Sequence, residues 1–123
     1  MDSTTQTCSK MEGLSELALS HVAQYFSALS EPTRLKILNH LRDGEKNVGD
    51  LAIACDCSQA NISRHLSTLA KHGMVVRGGR GTAVYYRIAD DSIYALCDLV
   101  CGNVARQLES QASLLGTLQN KKS

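Results

Sequence analysis

Apolar positions along this chain mostly fall at helical spacing, with one stretch that alternates differently. From Gly13 to Leu29 the residues Leu14, Leu17, Ala18, Val22, Tyr25, Phe26 and Leu29 recur three and four apart, which predicts an amphipathic helix. Ser30 offers an N-cap for a second helix, with Pro32 in its first turn, where a missing N–H costs nothing. Leu35, Ile37, Leu38 and Leu41 form that helix's apolar side, and Asp43-Gly44 is a stop signal. A short helix follows over Val48–Cys55, built on Val48, Leu51, Ala52 and Cys55. Asp56-Cys57-Ser58 is a tight connection. Ser58 then caps a further helix carrying Ile62, Leu66 and Leu69, closed by His72-Gly73.

The pattern then changes. Met74 to Arg77 reads as a strand, Gly78 to Gly81 as a turn whose glycines supply positive φ, and Thr82 to Ile88 as a second strand rich in β-branched and aromatic residues. Asp90-Asp91-Ser92 caps a last helix with the stripe Ile93, Leu96, Cys97, Val100, Cys101, Val104, Leu108 and Leu115. Residues 1–12 are expected to be a flexible arm and 119–123 a frayed tail, leaving 13–118 as one domain. The expected fold class is α+β, mainly α: a winged helix-turn-helix of about five helices with a β-hairpin wing.

Composition adds three things. Four Tyr, one Phe and no Trp make a core short of large rings, which suits a chain that leans on a partner subunit. The polar N-terminus has no apolar signal region and no apolar run approaches a membrane span, so a cytoplasmic protein with reduced thiols is expected, its five Cys forming no disulfide framework. Net charge is only +1, but its distribution is uneven. From Cys57 to Ala89 there is no Asp or Glu, while Arg64, Lys71, Arg77, Arg80 and Arg87 lie there with His65 and His72. A one-signed stretch in a nearly neutral protein is the mark of a surface for an anion, here double-stranded DNA.

The order of short helix, tight turn, second helix and glycine-rich hairpin fits that ligand. A major groove about 12 Å wide admits one helix. The helix after Ser58 has an apolar inner side, leaving Gln59, Ala60, Asn61, Ser63, Arg64 and Ser67 for the groove. Gln and Asn pair with adenine and Arg with guanine, whereas Ser58, Ser63, His65 and Thr68 suit backbone anchoring. Arg77 and Arg80 on the hairpin can follow phosphates or enter the minor groove. No phosphate-cradling loop or nucleophile elbow is present, so an enzyme is not expected. A winged-helix module that binds only protein is the competing reading, and the acid-free stretch argues against it.

Ser-Glu-Pro-Thr-Arg-Leu-Lys-Ile-Leu at 30–38, Ser-Gln-Ala-Asn-Ile-Ser-Arg-His-Leu at 58–66 and Tyr85-Tyr86-Arg87 resemble the ArsR/SmtB family of bacterial metal- and stress-responsive repressors, over roughly 14–108. The resemblance implies a homodimer joined by its first and last helices, a palindromic operator, and an inducer that lowers DNA affinity. Two-fold symmetry would set the recognition helices about 34–36 Å apart. Two metal sites used in the family are not reproduced. Asn47 and Gly49 stand where one has cysteines, and Asp90, Ser92, Asn103 and Arg106 where another has Asp and His, so only Asp90 could ligate.

Cys97 and Cys101 remain. Four apart on the last helix, they share a face and could grip a soft inducer: As(III), Sb(III), Cd, Pb or Hg. Cys8 on the arm could supply a third thiolate, with Cys57 a weaker candidate. The pair could instead undergo thiol oxidation or react with sulfur species, or simply pack as small hydrophobes, the reading also given to Cys55 and Cys57. The four histidines show no ligand spacing.

Overall fold

The computed structural model describes residues 12–122, with side chains described to Gly116. The arm and Cys8 therefore lie outside the described residues, apart from Glu12. The elements are α1 (Glu16–Ala28), α2 (Pro32–His40), a 3-10 turn (Leu41–Asp43), β1 (Lys46–Asn47), α3 (Val48–Cys55), α4 (Gln59–Lys71), β2 (Val75–Arg80), β3 (Ala83–Ile88) and α5 (Ser92–Lys122). They divide into two compact units after Ala89, so α5 is a unit of its own. It runs on to Lys122, through the stretch from 119 that the pattern leaves as a tail.

In the first unit α3 packs on α2 and α4, and α4 packs on β2. Ile37, Leu38 and Leu41 from the α2 region, Leu51 from α3, Ile62, Leu66 and Leu69 from α4, and Met74 are fully buried. Each such side chain contributes roughly 1.5–3 kcal/mol relative to exposure. The three α4 residues are those its spacing selects, so the helix has one dry face and one wet face.

Four expectations need correction. Ser30 does not cap α2; Pro32 is the helix's first residue, so the cap falls on Glu31, whose carboxylate accepts from Arg34 N at 3.1 Å. Ser30 Oγ instead donates to Ser27 O at 2.6 Å. Leu35 is exposed, because the dry side of α2 is narrower than the pattern suggests. The hairpin turn is shorter than expected: Arg80 pairs with Ala83, leaving Gly81-Thr82 as a two-residue loop. Of the glycines there, only Gly81 has positive φ, at +64°, as a tight hairpin requires of its first loop residue. Gly78 and Gly79 belong to β2. Finally, the wing has a third strand, giving the antiparallel order β1-β3-β2, with Lys46 opposite Tyr86 and Asn47 opposite Tyr85.

The stripes of α1 and α5 stay open. In α1 only Ala28 is buried, with Leu17 71% and Phe26 49% exposed. In α5 Ile93 is buried, but Leu99, Val100, Val104, Leu108, Leu114 and Leu115 are exposed. Among the described residues no helix is long and apolar enough to cross a membrane.

Candidate nucleic-acid interface

The turn between α3 and α4 is made by one residue in an unusual conformation. Asp56 has φ 54° and ψ 50°, a left-handed geometry that Asp tolerates better than most side chains. Its N–H and that of Cys57 donate to Ile53 O at 3.2 Å and Ala52 O at 3.0 Å, closing α3. Ser58 Oγ then accepts from Asn61 N at 3.1 Å and starts α4, as expected of an N-cap serine. Asn47 caps α3 in the same way, accepting from Asp50 N at 2.7 Å. Both helices of the motif thus begin on a side-chain cap, which fixes where each one starts.

On α4 the structure brings Gln59, Ala60, Ser63, Arg64 and Ser67 onto the exposed side, opposite Ile62, Leu66 and Leu69. Asn61 is half-buried, and its Oδ1 accepts from Arg64 Nη2. That bond holds the guanidinium against the helix and pairs two groups able to read bases. Thr68 is turned to its own helix, donating from Oγ1 to Arg64 O at 3.3 Å. The free N–H groups of the first turn and the acid-free outer side make this edge attractive to phosphate.

His65 does not join that edge. Its side chain is 13% exposed and lies between α4 and the start of α2. Nδ1 is 3.3 Å from Arg34 Nη1, and Nε2 is 3.5 Å from Glu31 Oε2. His65, expected from the sequence to anchor phosphate, thus has both ring nitrogens engaged within the protein. Partial burial pushes the Glu31 carboxyl up. The N–H groups of Thr33 and Arg34, with His65 and the Arg34 guanidinium alongside, outweigh that and hold it below the ordinary carboxylate range. A carboxylate held low adds stability above its usual pKa, which is lost as pH falls.

In the wing, Arg77 and Arg80 are both exposed. Arg80 is also engaged: it forms an ion pair with Glu45 and stands 5.4 Å from the Tyr85 ring centroid. Glu45, just before β1, was not visible as a wing partner in the sequence, because β1 is too short to announce itself.

A sequence model described as "Bacterial regulatory protein, arsR family" matches residues 31–76, which span α2, α3, α4 and the start of β2. The HTH-type transcriptional regulator NmtR of Mycobacterium tuberculosis is 36% identical over 85 residues, 69% of this chain and 71% of its own length. The regulator CmtR of Mycobacterium bovis is 40% identical over 86 residues, 69% of this chain and 73% of its own. The chain belongs to the arsR family of bacterial regulatory proteins. Its fold agrees with that of a homodimeric winged helix-turn-helix DNA-binding domain from M. bovis, described as a possible ArsR-family regulator. The TM-score is 0.69 at 34% identity, covering 80% of this chain and 94% of the other. The arsR chain is accordingly a transcriptional regulator and not an enzyme.

Within the arsR frame, the positions of the two unreproduced metal sites hold local structure. Asn47 caps α3, Asp90 Oδ1 accepts from Ser92 N at 2.9 Å, and Asn103 Oδ1 accepts from Arg106 Nη2. Cys55 is buried, and burial, with the neighbouring Cys57, pushes its thiol above the ordinary range despite Lys36. It is poorly placed to supply a thiolate, in keeping with packing. Cys57 is half-buried and its Sγ donates to Cys55 O at 3.5 Å. On α5, Cys97 is half-buried and Cys101 exposed; both are thiols, as are Cys55 and Cys57. Among the described residues no three His, Cys, Asp or Glu side chains are grouped to hold a metal ion.

Proposed function

We propose that this arsR-family chain is a cytosolic homodimeric repressor that reads a palindromic operator with α4 and its wing and is released by a thiophilic inducer at Cys97 and Cys101. The observation that carries the DNA reading is the two-sided build of α4: Ile62, Leu66 and Leu69 are buried while Gln59, Ser63, Arg64 and Ser67 are exposed with no acid between residues 57 and 89. Arg77 and Arg80 would add phosphate or minor-groove contacts. The open apolar stripes of α1 and α5 support a second copy as partner, since a chain this short gains much from covering Phe26, Val104 and Leu108.

The inducer reading rests on Cys97 and Cys101, one helical turn apart with Cys101 open to solvent. Two thiolates suit As(III), Sb(III), Cd, Pb or Hg, and a third donor would come from Cys8 or from the partner. The same exposure favours a second reading, in which an oxidant or reactive sulfur takes two electrons from a pair of thiols, releases their protons and leaves a sulfur–sulfur bond. Either way the inducer couples to DNA by ~1–3 kcal/mol, or about 5–150-fold release. Cys97→Ser and Cys101→Ser are each expected to bind operator as the wild type does and to lose release. Titrating the bound complex with arsenite, antimonite, Cd and tetrasulfide checks this and separates the two readings. Full release of both single variants would sink the cysteine-pair assignment.

The Glu45–Arg80 pair gives a further expectation. A nearby carboxylate competes with phosphate for Arg80, so Glu45→Gln should tighten DNA binding by about 2–5-fold at fixed salt, the range of an exposed ion pair. Unchanged or weaker binding would show that Arg80 does not reach DNA.

A further inference from the structure

The Arg34 side chain is tied at all three of its nitrogens. Nε donates to Ala28 O at 2.7 Å and Nη2 to Ser27 O at 3.3 Å, both carbonyls in the last turn of α1. Both lie among the last carbonyls of the helix, where a cation is favoured, and Ser27 O also accepts from Ser30 N and Ser30 Oγ. The third nitrogen, Nη1, lies 3.3 Å from Nδ1 of His65 on α4. A guanidinium cannot accept a hydrogen bond, so Nδ1 is the acceptor and a neutral imidazole carries its proton on Nε2, facing Glu31 Oε2 at 3.5 Å. The circuit closes because Glu31 Oε2 also accepts from Arg34 N at 3.1 Å.

We propose that Arg34 is a positioning residue, which sets the recognition helix α4 against the end of α1 through His65. No other residue type can do this as well. The planar fork reaches two helices at once, whereas a lysine ammonium would satisfy the α1 carbonyls or the imidazole. His65 sits between Ile62 and Leu69, so a push on its ring moves the buried side of α4 and, with it, the exposed side bearing Gln59 and Arg64. α1 carries an open apolar stripe, so a change in how two copies meet there would reach the DNA-facing helix through one guanidinium. This inference rests on the reading that α4 contacts bases.

The test uses the full-length protein. One probe is a duplex enriched from a random-sequence pool on the wild type, and the other is the same duplex shuffled. Arg34→Lys and His65→Leu are each expected to weaken binding to the enriched duplex about tenfold, while affinity for the shuffled duplex and the salt slope stay as in the wild type. His65→Asn keeps an acceptor where Nδ1 stood and is expected to stay within about threefold of the wild type. The double variant Arg34→Lys, His65→Leu should lose no more than either single one, since both break the same tie. Should His65→Leu fail to fold, Arg34→Lys and His65→Asn carry the comparison. Equal losses on both duplexes with a shallower salt slope would mean these residues touch phosphate. Unchanged specific binding in Arg34→Lys would mean the tie sets nothing. Either result overturns the proposal. A wild type that enriches no duplex overturns it too, through the reading of α4, and that failure shows in the wild type before any variant is made.

Discussion

Leu66→Ala is expected to destabilise the first unit by about 2–5 kcal/mol. Leu66 is fully buried at the centre of the α4 face, between Ile62 and Leu69, and faces the α2 and α3 core. Truncation loses the transfer energy of the removed carbons and leaves a cavity that helices anchored at Ser58 and Asn47 cannot readily fill. Small domains have only about 5–15 kcal/mol in hand, so the variant should unfold at markedly lower urea or temperature. Ser67→Ala, one residue along and exposed, is expected to stay within about 0.5 kcal/mol of the wild type. Equilibrium unfolding of the two variants gives the contrast directly, and equal midpoints would contradict the assignment of inner and outer faces.

Arg64→Ala should leave stability nearly unchanged and weaken operator binding by about 10–100-fold, the range for a bidentate contact to a base. The side chain is exposed and bonds to Asn61 on the same helix, so little folding energy depends on it. If Arg64 reads guanine, the loss comes with relaxed preference at one base pair. If it contacts only phosphate, the loss is smaller, uniform across sequences, and accompanied by a shallower salt dependence. Binding of wild type and variant to a panel of single-base operator changes separates the two. An Arg64→Ala variant that binds the operator as tightly as wild type would remove Arg64 from the interface.

Much of the fold was legible because periodicity and local chemistry agreed. Ile62, Leu66 and Leu69 are the positions their spacing selects, and Ser58 and Gly73 mark the ends of α4 as their backbone preferences require. The failures came where a tertiary partner outweighed local preference. Ser30 is the better cap residue by type, yet Pro32 and the Arg34–His65 cluster place the cap on Glu31. Three glycines suggested a wide loop, but the pairing of Arg80 with Ala83 tightened the turn to two residues. Lys46–Asn47 is a strand only because β3 offers it a partner, and two residues show no period of their own. His65 looked like a surface cation because its neighbours Arg64 and Ser67 are exposed, and nothing local signals that Glu31 and Arg34 enclose it. Cys97 and Cys101 were legible as a pair through spacing alone, whereas the exposure of Cys101 needed the structure.

We propose that the acid-free surface of α4 and the wing is built for duplex DNA. Measuring the affinity of the full-length protein for its enriched duplex across a salt series tests it most directly. Log K is expected to fall linearly with log[salt] at a slope of about −4 to −7 per dimer, as several phosphates are neutralised by each copy. Binding that is absent, or that shows no such slope, would contradict it.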